Sequence, residues 1–191
     1  MAGDIQQLSM HQIDSRKKYF LDSNIWIFAL GNITNPNRKE SIYIEFVGKL
    51  LDKGLVIHSH SVVIAEVFNA ISRINFKNYK NHLLYDPNNR LSSTQIEKLD
   101  FKKDYRGTED YLYNLGLFKS EFEVYANNIK LIDKDLDLDI GYLVKNVDGT
   151  SDFNDYLYYE MALDLGLTIV TDDGDFDYQG IDILTENQKL L

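Results

Sequence analysis

Residues 167–176 read Leu-Thr-Ile-Val-Thr-Asp-Asp-Gly-Asp-Phe. The apolar and β-branched run Leu167–Thr171 describes a strand buried on both faces, and the change to acids around Gly174 ends it. Immediately upstream, Phe153 to Leu165 reads as a helix closed by Gly166, a residue suited to a helix C-terminus. A helix feeding a buried strand is half of a βαβ unit, and the rest of the chain repeats the alternation. Tyr19-Phe20-Leu21 is a short strand ending at Asp22, followed by a helix opening at Ile25. Ile42 to Leu51 has helical spacing with Lys53-Gly54 as its stop, and Leu55-Val56-Ile57 is a second strand. Ser61 is placed to cap a helix from Val62 to about Arg73, with Ile64, Val67, Phe68 and Ile71 on one face. Ile129 to Ile132 is a short strand, Asp139 to Lys145 a helix, and Ile181 to Leu184 a last, edge strand. Strands alternating with helices predict an α/β fold with a parallel sheet covered on both faces, which binds ligands beyond the carboxyl ends of its strands.

The chain has 191 residues, 44% hydrophobic and 13% aromatic, which suits one domain with a substantial core. We read residues 1–191 as that domain, with 18–76 and 127–186 as its core and 77–126 as a helical insertion. With no Cys, a disulfide scaffold, a thiolate zinc site and a Cys nucleophile are excluded. No apolar run approaches the length of a membrane span, and the first residues lack the apolar segment of a secretory signal, so the expected location is cytoplasmic. The net charge of −10 is unevenly spread. Residues 1–72 are neutral, 73–106 carry eight Lys/Arg against four acids, and 107–191 carry five against nineteen. A chain this acidic repels nucleic acid unless cations intervene or a local basic surface makes the contact. The 73–106 segment, with Tyr79, Tyr85 and Tyr105, is the candidate for that surface; its alternative is a solvated cover.

The acids fall at informative places. Asp22 ends the first strand, and Asp173 and Asp175 follow the Leu167–Thr171 strand, so a parallel sheet puts them on one rim. Glu66 interrupts the apolar run Val62–Phe68, where burying a carboxylate is costly without a cation or donor. Helical geometry sets it on the side of Val62, Val63, Ala70 and Arg73, with Arg73 as a possible partner. Asp155 opens the helix before the last long strand and shares a face with Tyr159 and Ala162. Singly, each acid also reads as a cap or turn residue. Jointly they repel one another, and a hard divalent cation removes that conflict. Mg²⁺ or Mn²⁺ takes oxygen ligands and suits phosphodiester hydrolysis without His, Cys or Lys.

Other motifs carry less. His58-Ser59-His60 reads as an ordinary strand end, and Asp133–Asp139 lacks the Gly and terminal Glu of a calcium loop. Trp26 reads as core or a dimer face. There is no glycine-rich phosphate cradle. The Asp22 strand lacks the second Asp of aspartyl phosphatases, since position 24 is Asn.

Four segments, in order, resemble the PIN-domain ribonucleases, especially the bacterial VapC-type toxins. They are Phe20-Leu21-Asp22-Ser23-Asn24-Ile25, Ser61 to Val67 around Glu66, Asp155 to Ala162 followed by Leu165-Gly166, and Thr171-Asp172-Asp173-Gly174-Asp175-Phe176. The resemblance implies a three-layer α/β/α sandwich and metal-dependent cleavage of RNA by an acidic pocket. It implies Asp22, Glu66, Asp155 and Asp173 as ligands of Mg²⁺ or Mn²⁺, with Asp175 as a further one. It assigns Asn24 and Thr171 to orient the carboxylates, leaves Asp172 facing solvent, and makes Asp152 a lesser candidate than Asp155. It further implies a cognate antitoxin and a homodimer. Alternatives are a PIN-type nuclease of RNA processing without an antitoxin, and a non-catalytic PIN-like binding module. The chain departs from the compact toxins in its acidity and in its extra length between the Glu66 helix and the Ile129–Ile132 strand.

Overall fold

A computed structural model of the chain describes residues 3–31, 35–147 and 152–191. Its strands are β1 (Ile5–Gln7), β2 (Lys18–Leu21), β3 (Ile57–Ser59), β4 (Ile129–Leu131), β5 (Leu167–Val170) and β6 (Asp182–Thr185). They form one sheet in the order β1-β6-β5-β2-β3-β4, and every pairing is parallel. The helices are α1 (Ser23–Leu30), α2 (Arg38–Asp52), α3 (Ser61–Tyr85), α4 (Ser93–Glu97), α5 (Glu109–Ala126), α6 (Ile140–Asn146) and α7 (Phe153–Leu165).

Alternation along β2 builds the layers. Tyr19 meets Phe46 of α2 edge-on at 5.6 Å, while the next residue, Phe20, meets Tyr158 of α7 at 5.3 Å. Successive strand residues point to opposite faces, so α2 and α7 cover opposite sides of the sheet. From β2 the chain steps outward to β3 and β4; β5 and β6 lie on the other side of β2. Right-handed crossovers in opposite directions send their helices to opposite faces, which gives the α/β/α sandwich and sets the switch point between β2 and β5. Tyr19, Phe20, Leu21, Ile57, Ile169 and Val170 are wholly buried there.

The sheet also departs from the sequence reading. β1 pairs with β6, so β6 is interior and the sheet begins before residue 18. Three residues, Ile-Gln-Gln, carry too little alternation to announce a strand. The second strand is Ile57–Ser59, displaced from Leu55–Ile57 because the Leu55 amide bonds the Leu50 carbonyl and finishes α2 instead.

Helix α3 runs to Tyr85 rather than Arg73, about 37 Å against about 10 Å for β3. The insertion therefore grows out of a core helix without a boundary at residue 77. The cap of α3 is His60, whose Nδ1 accepts from the Val62 amide at 3.2 Å, while the Ser61 hydroxyl donates to Asp133. Beyond α3 lie α4, one turn of π-helix over Phe101–Tyr105, and α5. Tyr105 is wholly buried against Phe76, Tyr79, Phe101 and Tyr111. It is the core of the insertion and offers no stacking platform to a ligand. Gly166 closes α7 at φ +64°, where its lack of a Cβ is required. Trp26 is core, edge-on to Tyr125 of α5 at 5.6 Å.

Candidate metal centre

β2 and β5 end side by side, with Leu21 opposite Val170. The Asp22 amide extends this ladder to the Val170 carbonyl at 3.0 Å, and its side chain caps α1 by accepting from the Ser23 amide at 2.5 Å. The other carboxylate oxygen, Oδ2, accepts from the Thr171 hydroxyl and from Asn24 Nδ2, each at 2.7 Å. Asn24 Oδ1 in turn accepts the Asp172 amide at 3.2 Å, and Thr171 Oγ1 accepts the Asp173 amide at 3.0 Å. Asn24 and Thr171 thus stitch the β2 end to the β5 turn and fix the Asp22 rotamer. Asp22 is 4% exposed. Burial pushes its carboxyl up to about 6; the Thr171 and Ser23 bonds oppose this, and the charges of Glu66 and Asp173 add to it.

Asp155, the third residue of α7, is pushed further, to about 7. Burial comes first, followed by the charges of Asp22, Asp173, Asp152 and Glu66. No donor among the described residues meets its carboxylate. Residues spread over more than 150 positions are therefore electrostatic neighbours on one rim.

Glu66 reaches this rim from α3. The Tyr158 hydroxyl donates to its Oε2 at 2.7 Å and Asn154 Nδ2 donates to its Oε1, both from α7. These bonds answer why a carboxylate interrupts the apolar run of α3. Burial and the Glu66 carboxylate both raise the Tyr158 hydroxyl far above its ordinary value, so it stays a donor. The expected partner Arg73 is engaged elsewhere, its guanidinium 6.0 Å from the Phe101 ring centre. Sequence reasoning missed Asn154 and Tyr158. Their signal was a spacing of four on the Asp155 helix, which sets two donors on one face.

The remaining acids divide. Asp173 Oδ1 accepts the Asp175 amide at 2.8 Å and closes the turn. Asp175 is exposed, and Lys189 Nζ holds its carboxylate at 3.1 Å, so it stands apart from the other four. Asp152 precedes α7 without capping it, and its charge contributes to Asp155. Asp172 does not face solvent: its side chain is 13% exposed, with Lys39 Nζ at 2.7 Å and the Tyr43 hydroxyl at 3.1 Å. The cause is α2, which carries both residues against the strand ends.

His58 lies half-buried on β3, and burial with Lys130 and Lys18 holds its pKa below the ordinary value. His60 caps α3, Asp133 accepts from Ser61, and Asp139 caps α6 through the Gly141 and Tyr142 amides. His60, Asp133 and Asp139 are thus engaged structurally, whereas the buried His58 Nδ1 has no hydrogen-bond partner among the described residues.

The donor set at the rim is all oxygen, which suits a hard cation. Each Glu66 oxygen accepts one hydrogen bond and so keeps a lone pair, as does Asp22 Oδ1. As they stand, no three acidic or His side chains among the described residues form a ready-made ligand set. The carboxylates are close enough to repel but are not drawn together. No family model, curated protein or solved structure matches the chain.

Proposed function

We propose that this protein is a metal-dependent endoribonuclease of the PIN type, hydrolysing RNA phosphodiester bonds with Mg²⁺ or Mn²⁺ at the β2–β5 rim. One observation carries the reading: Asp22 and Asp155 are both held above the ordinary carboxylate range, first by burial and then by the charges of Glu66 and Asp173, with the Asp22 charge adding to Asp155. An uncompensated group of this kind is costly to fold, and residues with such shifts in a cleft mark functional sites.

Asp22, Glu66, Asp155 and Asp173 would hold the cation. Bound there, a divalent metal supplies a lowered pKa for water and a counter-charge for the phosphate. Thr171 and Asn24 hold Asp22 in one orientation, and Tyr158 and Asn154 do the same for Glu66. Preorganised outer hydrogen bonds of this type tune carboxylate ligands. Asp175, salt-bridged to Lys189, is the least supported member of the set.

From the sequence resemblance the proposal extends to the toxin of a type II toxin–antitoxin pair, cytoplasmic and homodimeric. The surface of α5 supports a protein partner: the helix buries no residue, and Leu112, Tyr113 and Val124 are exposed. No helix among the described residues is long and apolar enough to cross a membrane.

The test is cleavage of RNA by purified protein with Mg²⁺ or Mn²⁺, beside Asp22→Asn and Asp173→Asn. Loss of cleavage in the variants is expected. Equal cleavage by all three proteins overturns the assignment. Absence of cleavage together with absence of Mn²⁺ binding leaves the non-catalytic PIN-like module as the better reading.

A further inference from the structure

The second half of α3 and the segment after it carry eight of the chain's twenty Lys and Arg residues, in an arrangement that only the continuous helix displays. Arg73, Lys77 and Lys80 follow Glu66 by 7, 11 and 14 residues on one uninterrupted helix. At about 100° per residue, all three stay within roughly 40° of the direction of Glu66. Their rise places them about 10, 16 and 21 Å along α3 from the acidic centre. Arg106 joins them from the end of the π-helical turn: its guanidinium and that of Arg73 lie 5.1 and 6.0 Å from the centre of the same Phe101 ring.

None of the eight Lys or Arg residues between 73 and 106 forms an ion pair among the described residues; the ion pairs lie elsewhere. Three of the four acids of the segment bond nearby backbone amides instead. Asp86 accepts the Asn88 amide, Asp100 accepts the Lys102 and Lys103 amides, and Asp104 accepts the Asp100 amide. Arg73, Lys77, Lys102, Lys103 and Arg106 are exposed, whereas Lys80 is half-buried and its Nζ donates to the Glu97 carbonyl at 3.1 Å, leaving it two further donors. In a chain of net charge −10, such a concentration of cations without ion-pair partners is not explained by local pairing. It fits a polyanion, and its alignment with Glu66 fits one that continues into the acidic centre.

We propose that the face of α3 bearing Arg73, Lys77 and Lys80, with Arg106 beside it, is a binding track for the phosphate backbone of single-stranded RNA leading to the β2–β5 rim. The proposal rests on the nuclease reading for the direction of the track but not for its existence. The cations neutralise phosphates without reading bases, so binding is sequence-tolerant and strongly salt-dependent. The ring of Phe101 lies against both the Arg73 and Arg106 guanidiniums and brings the two cations together.

The experiment measures binding of a fluorescein-labelled 20-nucleotide oligouridylate by anisotropy in EDTA, across a salt series. It compares wild type, Arg73→Gln with Lys77→Gln, Lys77→Gln alone, and the exposed off-track control Lys53→Gln. Trp26 fluorescence verifies folding, and the single variant serves if the double one unfolds. The double variant is expected to bind about tenfold more weakly, with a salt slope lower by about 1.4, and the control to bind as wild type. Unchanged affinity and slope in a folded variant overturn the track. So does tighter binding of poly-L-glutamate than of RNA by wild type, which would make the partner an acidic protein segment. Because binding is read without metal, the two readings separate: RNA held by the track yet uncut in Mn²⁺ overturns only the nuclease, and RNA cut with unaltered affinity in the variant overturns only the track.

Discussion

The Thr171 hydroxyl donates to Asp22 Oδ2 at 2.7 Å, joining residues 149 positions apart at the ends of adjacent strands. Thr171 is wholly buried, and the same oxygen accepts the Asp173 amide. Thr171→Val keeps the shape and removes both bonds, together with a longer one that Asn24 Nδ2 donates to the same hydroxyl at 3.3 Å. It is expected to cost about 1–3 kcal/mol of stability in urea denaturation and to reduce metal-dependent RNA cleavage. Wild-type cleavage by this variant would show that Asp22 needs no orientation.

The raised carboxyls predict a pH dependence. Asp22 and Asp155 sit at about 6 and 7 in the folded protein, above the ordinary 3.8. Between about pH 4 and 7 the folded state therefore binds more protons than the unfolded one, so these groups make stability fall as pH rises through that window. The metal-free protein is expected to melt at a higher temperature at pH 5 than at pH 8. Asp155→Asn should recover roughly 1 kcal/mol at pH 8 after allowance for solvent screening, or about 2–4 °C. Mn²⁺ should raise the wild-type midpoint at pH 8 and the variant's less. A variant less stable than wild type at pH 8 contradicts the repulsion.

Tyr158→Phe deletes one donor to Glu66 while leaving the ring against Phe20. The expected result is a 10–100-fold loss of Mn²⁺ affinity by titration calorimetry with little change in the midpoint of unfolding. Unchanged affinity would remove Glu66 from the ligand set or Tyr158 from its support.

Asp173 and Asp175 should differ sharply. Asp175 is exposed and paired with Lys189, whereas the charge of Asp173 acts on both Asp22 and Asp155. Asp173→Asn is expected to abolish RNA cleavage, and Asp175→Asn to reduce it by less than about tenfold, below the roughly 10–100-fold scale of a lost outer contact. Equal losses in a cleavage time course would bring Asp175 back among the ligands.

Tyr105 tests whether the insertion is part of the fold. It is wholly buried among four aromatic rings, and its hydroxyl donates to Asp110 at 2.8 Å. Tyr105→Ala should cost about 3–5 kcal/mol if the arm unfolds with the core. Trp26, the only Trp, reports from α1 against α5. Arm unfolding without a Trp26 transition would mark the arm as a separate unit.

Much of the architecture was legible because strong local signals coincide with it. The α7–Gly166–β5 segment combines helical length, a left-handed stop and a buried strand, and the structure matches its bounds to within one residue. β1 was illegible because Ile5–Gln7 becomes a strand only by pairing with β6. The end of α3 was misplaced because the apolar face fades after Ile71, although no glycine or proline interrupts residues 74–85 and Pro87 follows the observed end. Its continuation depends on packing against α4, α5 and the π-helical turn.

The sequence by itself determined the inventory: alternating strands and helices, no thiol chemistry, and acids placed at strand ends and helix starts. Those features are local, since hydrophobic period and cap chemistry act over a few residues. Only the tertiary structure decided which acids are neighbours. It set Asp22, Glu66, Asp155 and Asp173 on one rim, turned Asp175 to Lys189 and Asp172 to Lys39 and Tyr43, and gave Glu66 its donors from α7. Side-chain partners at such separations are chosen by the order of strands and the packing of helices across the sheet, and spacing along the chain does not encode either.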